Sequence, residues 1–234
     1  MNFSKNIQIG EILLMDPSQE DLLPNKLKRF TQFLKTENAP NYSKFSFVNQ
    51  EGSLIGHLTL IQNLLLESNN KSILLKNKFS LDQYIRNKLK NPYLIELLKE
   101  ISHFDCFPNE ASPEGRKITA LMQGLLKNGP YLFLDSPEKY LDYNNLFLFI
   151  QALKISIKDN GLIVIISSPK QDFWKKYAQK QIIKRGTGHF WVTPIEQKNY
   201  HTSKTSDSVI EMSKNAGQLI IHSPFDSIKK NTGS

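Results

Sequence analysis

The stretch that decides the fold runs from residue 111 to residue 142. It reads Ala111-Ser-Pro-Glu-Gly-Arg-Lys-Ile-Thr-Ala-Leu-Met-Gln-Gly-Leu-Leu-Lys-Asn-Gly-Pro-Tyr-Leu-Phe-Leu-Asp135-Ser-Pro-Glu-Lys-Tyr-Leu-Asp142. Apolar residues at helical spacing predict a helix over 116–127, and the continuous apolar run 131–134 predicts a buried strand. A helix that leads directly into a buried strand is the repeating unit of a parallel α/β sheet.

Outside this stretch, strands and helices continue to alternate, which predicts the α/β class with a mostly parallel sheet flanked by helices. Hydrophobic periodicity predicts the following elements: strands at 7–15, 44–48, 72–75, 161–167, 181–184 and 190–192, and helices over 20–34, 59–67, 81–89, 92–101, 144–157 and 173–180. From Pro194 onward the sequence is rich in Ser, Thr, Asn and Lys. We therefore expect a domain over 1–193 and a partly ordered tail over 194–234.

The 111–142 block resembles the signature-to-Walker-B segment of ABC-type ATPase domains, which belong to the P-loop NTPase superfamily. In that family the block reads roughly LSGGQ-x-QR, a helix, a strand, and D-E-P-T-S-A-L-D. Ser112 and Gly115 fall on the signature, Asp135 on the Walker B aspartate and Asp142 on the D-loop aspartate, with no gap. The resemblance implies a P-loop NTPase-like fold. The short segment before the signature implies a reduced helical subdomain.

Two positions that carry the family's chemistry hold unsuitable side chains. Ser136 stands where the family has the glutamate that activates water, and Pro169 stands where it has the switch histidine. A serine hydroxyl is a poor general base at neutral pH, and proline has neither a donor nor a titratable group. The resemblance therefore predicts a frame without catalytic residues, a degenerate ABC-type ATPase domain rather than an enzyme.

The loop after the 44–48 strand resembles the phosphate loop of the family. Gly56, His57, Leu58 and Thr59 would correspond to its G-K-S-T run. A phosphate loop needs backbone N–H groups, a helix N-terminus and a lysine, but here histidine replaces the lysine and leucine replaces the metal-binding serine. We expect no cofactor from this comparison, with ATP and Mg²⁺ left open as ligands. Without the family, a turn between a strand and a helix accounts for the glycines equally well.

Three of the residues that carry the resemblance, Ser112, Asp135 and Asp142, also have simpler structural interpretations. Ser112 and Asp142 each precede a predicted helix and could act as its N-cap. Asp135 could cap the turn that follows its strand. These roles are compatible with the family positions, and the common register of the residues, rather than any one of them, carries the resemblance.

Composition limits the remaining classes of function. The 234 residues carry a formal net charge of +8, spread along the chain, and contain one cysteine, Cys106. The chain shows no uninterrupted apolar run long enough for a membrane span and no apolar leader. We expect a cytoplasmic protein, peripheral to the inner face of the membrane.

The sequence also gives no sign of a metal site or of nucleic-acid binding. His103, Asp105 and Cys106 lack a second cluster at metal-ligand spacing, so a metal site is not expected. No recognised nucleic-acid motif is present, so nucleic-acid binding is not expected either.

Three hypotheses of function follow. The first is a pseudo-ATPase that acts through protein contacts, as a scaffold or partner of an ABC transporter-like membrane subunit, of an active ATPase subunit, or of itself in a homodimer. The second is a divergent active ATPase powering transport, which would need substitutes such as Lys44 or Lys76 for the phosphate cation and Glu138 for the base. The third is a basic binding module without nucleotide.

Overall fold

The structure is a computed structural model. The chain divides after Gln197 into two units, and every residue that the structure describes lies in the first of them. The described residues are 7–16, 23–37, 39–41, 43–67, 81–83, 85–127, 129–185 and 189–196.

The described part of the chain contains six strands, six α-helices and a further short helical segment at 81–83. The strands are β1 (Ile12–Met15), β2 (Phe45–Val48), β3 (Tyr131–Asp135), β4 (Ile163–Ser167), β5 (Lys180–Arg185) and β6 (His189–Pro194). The helices are α1 (Leu23–Thr36), α2 (Leu60–Glu67), α3 (Pro92–Glu100), α4 (Pro113–Leu126), α5 (Tyr143–Asn160) and α6 (Gln171–Trp174), with a π-helical turn at Ile85–Leu89 before α3. Within the described parts of the chain, every helix is too short or too polar to cross a membrane.

The strands form one sheet in the order β2-β3-β4-β1-β5-β6, in which only β6 runs antiparallel to its neighbour. The register brings Asp135 opposite Ser167 and Met15 opposite the same serine. The carboxyl ends of β1, β3 and β4 therefore lie at one edge of the sheet, at the same height. Loops that leave these strands all start from this edge, which is where α/β proteins place their ligand sites.

Helices cover both faces of the sheet, which explains why the central strands are apolar at nearly every position. On one face, α1 inserts Phe30 and Phe33 among strand side chains that include Phe133. The rings of Phe30 and Phe133 stack with centroids 4.8 Å apart. On the other face, α2 to α6 pack on the alternate residues of the same strands, such as Leu132 and Leu134. Side chains that alternate along one strand therefore pack into two separate hydrophobic cores, one on each face of the sheet.

The predicted α/β class and the mostly parallel sheet flanked by helices are confirmed. The prediction of a helix over 173–180 is wrong in part, because α6 ends at Trp174 and Lys180 begins β5. Lys180 pairs with Leu13 of β1 and its amino group forms an ion pair with Glu11 at 2.8 Å, and these contacts stabilise the strand. The predicted strand at 72–75 lies outside the described residues. The boundary at 193 and the reduced helical subdomain stay predictions.

A glycine is required where the loop after β2 crosses the start of α4. Gly52 has a φ of +64°, and a Cβ atom at this position would lie 3.0 Å from the Cα atom of Lys117. A side chain here would meet backbone on one side and would also disfavour the left-handed conformation. Gly56 in the same loop has open space around the position of a Cβ atom.

We expect Gly52→Ala to lower the free energy of unfolding by about 1–3 kcal/mol, through the left-handed backbone and the contact with α4. Gly56→Ala is the matched control and should change it by less than about 0.5 kcal/mol, since nothing lies near. Urea denaturation followed by circular dichroism measures both. Equal losses in the two variants would show that the loop does not need close contact with α4.

Candidate functional site at the carboxyl edge of the sheet

Asp135, the last residue of β3, lies at the centre of the carboxyl edge and is almost completely buried. The amino group of Lys26, in the first part of α1, lies 2.9 Å from each of its carboxylate oxygens. The Lys26 and Asp135 side chains are 19% and 4% exposed. A buried carboxylate needs such a counter-charge, because the loss of its hydration would otherwise be uncompensated.

Ser136 follows Asp135 in a left-handed conformation, with a φ of +46°. Its N–H donates to the carbonyl oxygen of Ser167 at 2.7 Å, and its hydroxyl donates to Asp135 Oδ1 at 3.3 Å. The serine therefore adds a second donor to the Asp135 carboxylate. It brings no basic group to this position.

Glu138, two residues further on, is buried and has both carboxylate oxygens engaged. Oε1 accepts the hydroxyl of Ser168 at 2.5 Å and Oε2 accepts the indole N–H of Trp174 at 2.8 Å. These bonds join the turn after β3 to the end of β4 and to α6. Because neither oxygen is directed to open space, Glu138 is a structural residue and not the substitute base that the second hypothesis needs.

Lys117 of α4 is fully buried beneath the same edge. Its amino group donates to the main-chain oxygens of Asn49, Gln50 and Asp135 at 2.9, 3.1 and 3.3 Å. Burial lowers the pKa of Lys117 to about 8, and the nearby negative charges of Asp135 and Glu138 oppose that shift without cancelling it. Lys117 thus ties the loop after β2 to the end of β3 by hydrogen bonds to uncharged carbonyl groups.

Glu51, Lys139 and Tyr140 form a more exposed contact between the same two loops. Glu51 accepts hydrogen bonds from the Lys139 amino group at 2.8 Å and from the Tyr140 hydroxyl at 2.5 Å. These bonds, that from Lys139 first, lower the pKa of Glu51. Its charge is therefore balanced at the surface.

The contacts of the loop at 56–59 oppose its assignment as a phosphate loop. A phosphate would need free N–H groups at the start of α2, but those of residues 59–62 already donate, in order, to Gln62 Oε1, Cys106 O, Phe104 O and Thr59 Oγ1 at 2.9, 3.0, 3.0 and 3.4 Å. Thr59 and Gln62 form a reciprocal capping box. Gly56 and His57 are exposed, and Leu58 is half-buried.

The correction follows from the position of Lys26. The loop that leads from a strand to a helix next to Asp135 is the one between β1 and α1, not the one between β2 and α2. Residues 17–22 of that connection lie outside the described residues. His57 and Leu58 therefore give no information about phosphate or metal binding.

The structure places both predicted helix caps as the simpler interpretation expected. The Ser112 hydroxyl accepts the Gly115 N–H at 3.0 Å, and Asp142 Oδ1 accepts the Asn145 N–H at 2.7 Å. The two helix starts are also joined, because Glu114 Oε1 accepts the N–H of Asp142 at 3.1 Å. Ser112 and Asp142 thus cap helices. The signature and D-loop roles that the family resemblance implies for Ser112, Gly115 and Asp142 stay predictions.

Pro169 follows β4 and is exposed. It lies next to Ser168, so its ring is at the carboxyl edge but offers no donor or acceptor side chain. The structure thus brings Asp135, Ser136 and the residue before Pro169 together, whereas Gly56 and His57 belong to a separate part of the loop after β2. In the described ranges, no group of three His, Cys, Asp or Glu side chains could hold a metal ion.

Comparisons with known proteins define the class of fold. No family model matches the chain. Over 116 residues, 49% of this chain, it is 25% identical to a protein of Helicobacter pylori strain 26695 named "Probable iron chelatin transport ATP-binding protein". The match covers 46% of that protein, so the chain spans about half the length of the curated relatives it matches.

Solved structures with the same fold are ABC transporter components. An ATP-binding subunit of an ABC transporter superposes with a TM-score of 0.57 at 14% identity, covering 75% of each chain. An ATP-binding cassette, solved as a post-hydrolysis dimer bound to ADP and Pi, gives 0.57 at 19% identity and covers 82% of this chain and 88% of that one. These likenesses establish the fold. The sequence match is to a protein named as an ATP-binding component of transport, and it covers less than half of that protein.

ATP and Mg²⁺, which this fold family implies, would bind at this carboxyl edge, beside Asp135. The carboxylate that would face a cation is bound by Lys26, and the next residue carries no carboxylate.

Three residues of the edge, Lys26, Lys117 and Trp174, are missing from the sequence-based prediction. Lys26 carries no signal, because a lysine on an amphipathic helix is usually solvated. The sequence does contain a signal for Lys117. This lysine lies on the same face of α4 as Leu121 and Leu125, four and eight residues later, and this spacing predicts that it is buried. Trp174 becomes relevant only once Glu138 is found next to it.

The pKa of Lys117 predicts a measurable pH dependence of stability. Between about pH 8 and pH 10.5 the unfolded chain holds the Lys117 proton and the folded chain does not, so raising the pH favours the folded state. From pH 7.5 to 9.5 we expect the stability of the wild type relative to Lys117→Met to rise by about 2 kcal/mol.

Urea denaturation of both proteins at the two pH values measures this difference, in which the titration of all other groups cancels. Lys99→Met is the control, because Lys99 is an exposed lysine of α3. If the pH dependence of Lys117→Met equals those of the wild type and of Lys99→Met, Lys117 does not titrate in this range.

Proposed function

We propose that this protein is an ABC-type ATPase domain without turnover, which acts through protein contacts as a scaffold or partner of an ABC transporter-like membrane complex. The observation that carries the proposal is the state of Asp135. Its carboxylate is bound by Lys26 at 2.9 Å, and the residue that follows it is a serine.

The requirements of phosphoryl transfer support the proposal, because the reaction needs charged groups held in fixed positions around the phosphates. Catalysis in this superfamily depends on a metal ion that neutralises the phosphates and on a residue that orients the attacking water. At this edge an internal ammonium occupies the carboxylate, and Ser136 and Pro169 stand at the two family positions for water activation and γ-phosphate contact. Glu138 cannot replace them, because Ser168 and Trp174 hold both of its oxygens.

The names of similar proteins support the proposed partner, an ABC transporter-like membrane complex. One relative is a transport ATP-binding protein, and a structure with a TM-score of 0.53 is titled an inward-facing conformation of a putative metal-chelate type ABC transporter. By this similarity the partner is a membrane transporter subunit, an active ATPase subunit, or both. The location is cytoplasmic and peripheral to the inner face of the membrane. A homodimer is the alternative assembly, since ATP-binding cassettes of this fold have been solved as dimers.

Exposed aromatic side chains beside Asp142 are consistent with protein contacts. Tyr143, at the start of α5, is 85% exposed, and Phe147 one turn later and Tyr140 before it are also exposed. Aromatic residues of this kind are enriched in protein interfaces. They lie next to the turn that Glu51 and Lys139 join to the loop after β2.

The second candidate is an active ATP-binding subunit that powers transport, and the sequence match to a transport ATP-binding protein favours it. It requires nucleotide binding through residues outside the described part of the site. The third hypothesis, a basic module without relation to nucleotide-binding proteins, is not supported, because the fold and the sequence match are those of ABC-type ATPase domains.

A titration with a fluorescent ATP analogue, with and without Mg²⁺, and a phosphate-release assay test the proposal. We expect no saturable binding below the millimolar range and no hydrolysis above that of Asp135→Asn, the control for contaminating ATPases. Ser136→Glu and Ser136→Glu/Pro169→His restore the two missing groups and should also remain inactive, since Lys26 still holds Asp135. Hydrolysis by the wild type that is lost in Asp135→Asn would establish the active alternative.

A further inference from the structure

Strand β6 forms one edge of the sheet, and in the described part of the chain no strand pairs with its outer side. Its pairing with β5 fixes which backbone groups point outward. The Ile195 N–H donates to the carbonyl oxygen of Gln179 at 2.9 Å and continues the antiparallel ladder. By the alternation of that ladder, Phe190 and Val192 direct their N–H and C=O groups away from β5. Within the described ranges these groups have no hydrogen-bond partner.

This edge lacks the features that usually prevent the addition of a strand. Edge strands are commonly protected by charged side chains, by proline or by a bulge. From 189 to 193 the sequence is His-Phe-Trp-Val-Thr, with no lysine, arginine, acidic residue or proline, and its register with β5 has no bulge. Pro194, which has no N–H, ends the strand. The backbone over 189–193 is therefore open to a further strand.

The two faces of β6 differ in chemistry. Phe190 lies on the face that α1 covers, and its ring centroid is 5.5 Å from that of Phe33. Trp191 lies on the opposite face and is 54% exposed. The Arg185 guanidinium lies over the Trp191 ring, 4.2 Å from its centroid. A strand added beside β6 would meet apolar side chains on the first face and a cation on the second.

The charge at this edge favours an acidic partner. Among the described residues no carboxylate pairs with the Arg185 guanidinium, which its stacking on Trp191 holds over β6. The sequence from 180 to 195 contains no aspartate or glutamate. A carboxylate from an added strand could accept a charge-assisted hydrogen bond from this guanidinium, and such bonds are stronger than those between neutral groups. A second copy of this chain lacks that chemistry, because β6 has no acidic residue.

We propose that the free edge of β6 accepts an extended, acidic segment of a partner protein as an added strand. Carboxylates at alternate positions of that segment face Arg185 and Trp191, and apolar side chains between them lie beside Phe190 and Val192. Strand addition of this kind gains affinity from main-chain hydrogen bonds and specificity from alternate side chains. The inference rests on the proposed function only for the existence of a protein partner.

The test uses the end-blocked heptapeptide Val-Glu-Val-Glu-Val-Glu-Val as probe and the full chain as receptor. Binding is followed by the emission of Trp191, since Trp174 is fully buried and is not at this edge. We expect saturable binding with a Kd below about 1 mM. Val-Val-Glu-Glu-Glu-Val-Val, which has the same composition, and Val-Lys-Val-Lys-Val-Lys-Val should each bind at least about ten-fold more weakly.

Variants of the chain separate backbone pairing from charge. Val192→Pro removes an outward N–H but no hydrogen bond to β5, so the fold should persist and the Kd should rise at least about five-fold. Arg185→Gln should raise it at least about three-fold. Lys184→Gln is the matched control, an exposed neighbour on the opposite face, and should leave the Kd within about two-fold. If Val192→Pro does not fold, heptapeptides N-methylated at the valines or at the glutamates replace it, and at least one of them must lose binding.

Three results overturn the inference. The first is no binding up to about 5 mM peptide. The second is equal binding of the alternating and rearranged peptides, or equal effects of Arg185→Gln and Lys184→Gln, because attraction by net charge would then explain the binding. The third is a wild-type dimer, seen by sedimentation equilibrium, that Val192→Pro converts to monomer, because a second copy would then occupy the edge. No nucleotide is present, so ATP hydrolysis by the wild type would overturn the absence of turnover and leave this inference standing.

Discussion

The buried carboxylate of Asp135 imposes the main constraint on the carboxyl edge of the sheet. It ends a central strand between parallel neighbours, where water cannot stabilise its charge, so the surrounding chain must supply donors. Lys26 provides the opposite charge from α1, on one face of the sheet, and Ser136 adds a hydroxyl. The position of α1 is thus coupled to the end of β3 by electrostatics as well as by the packing of Phe30 on Phe133.

The other polar contacts extend this arrangement to every loop that the structure describes around Asp135. Lys117 joins the loop after β2 to the end of β3, and Glu138 joins the turn after β3 to β4 and α6. The amino group of Lys117 and the carboxylate of Glu138 are both buried and hydrogen-bonded to protein atoms.

The architecture could be predicted well from the sequence, and the site less well. Periodicity located the elements of the sheet and its helices, because each central strand is apolar on two faces and each helix on one. It failed at 173–180, where the pairing of Lys180 with β1 and its ion pair with Glu11 outweigh helical spacing. The sequence also favoured the loop at 56–59 as a phosphate loop. A glycine between a strand and a helix can precede a helix that is closed by a capping box as well as one that binds an anion, and the sequence does not distinguish the two.

The sequence by itself determined the class of fold, the register of the 111–142 block and the absence of a carboxylate after Asp135. These depend on local periodicity and on which side chains are present. Only the tertiary structure decided which groups meet at the carboxyl edge. Lys26 and Asp135 are 109 residues apart, and Lys117 and Asn49 are 68 apart, so their contacts depend on strand order and not on spacing in the chain. The order β2-β3-β4-β1 brings α1 to Asp135, and no pattern within a single element specifies that order.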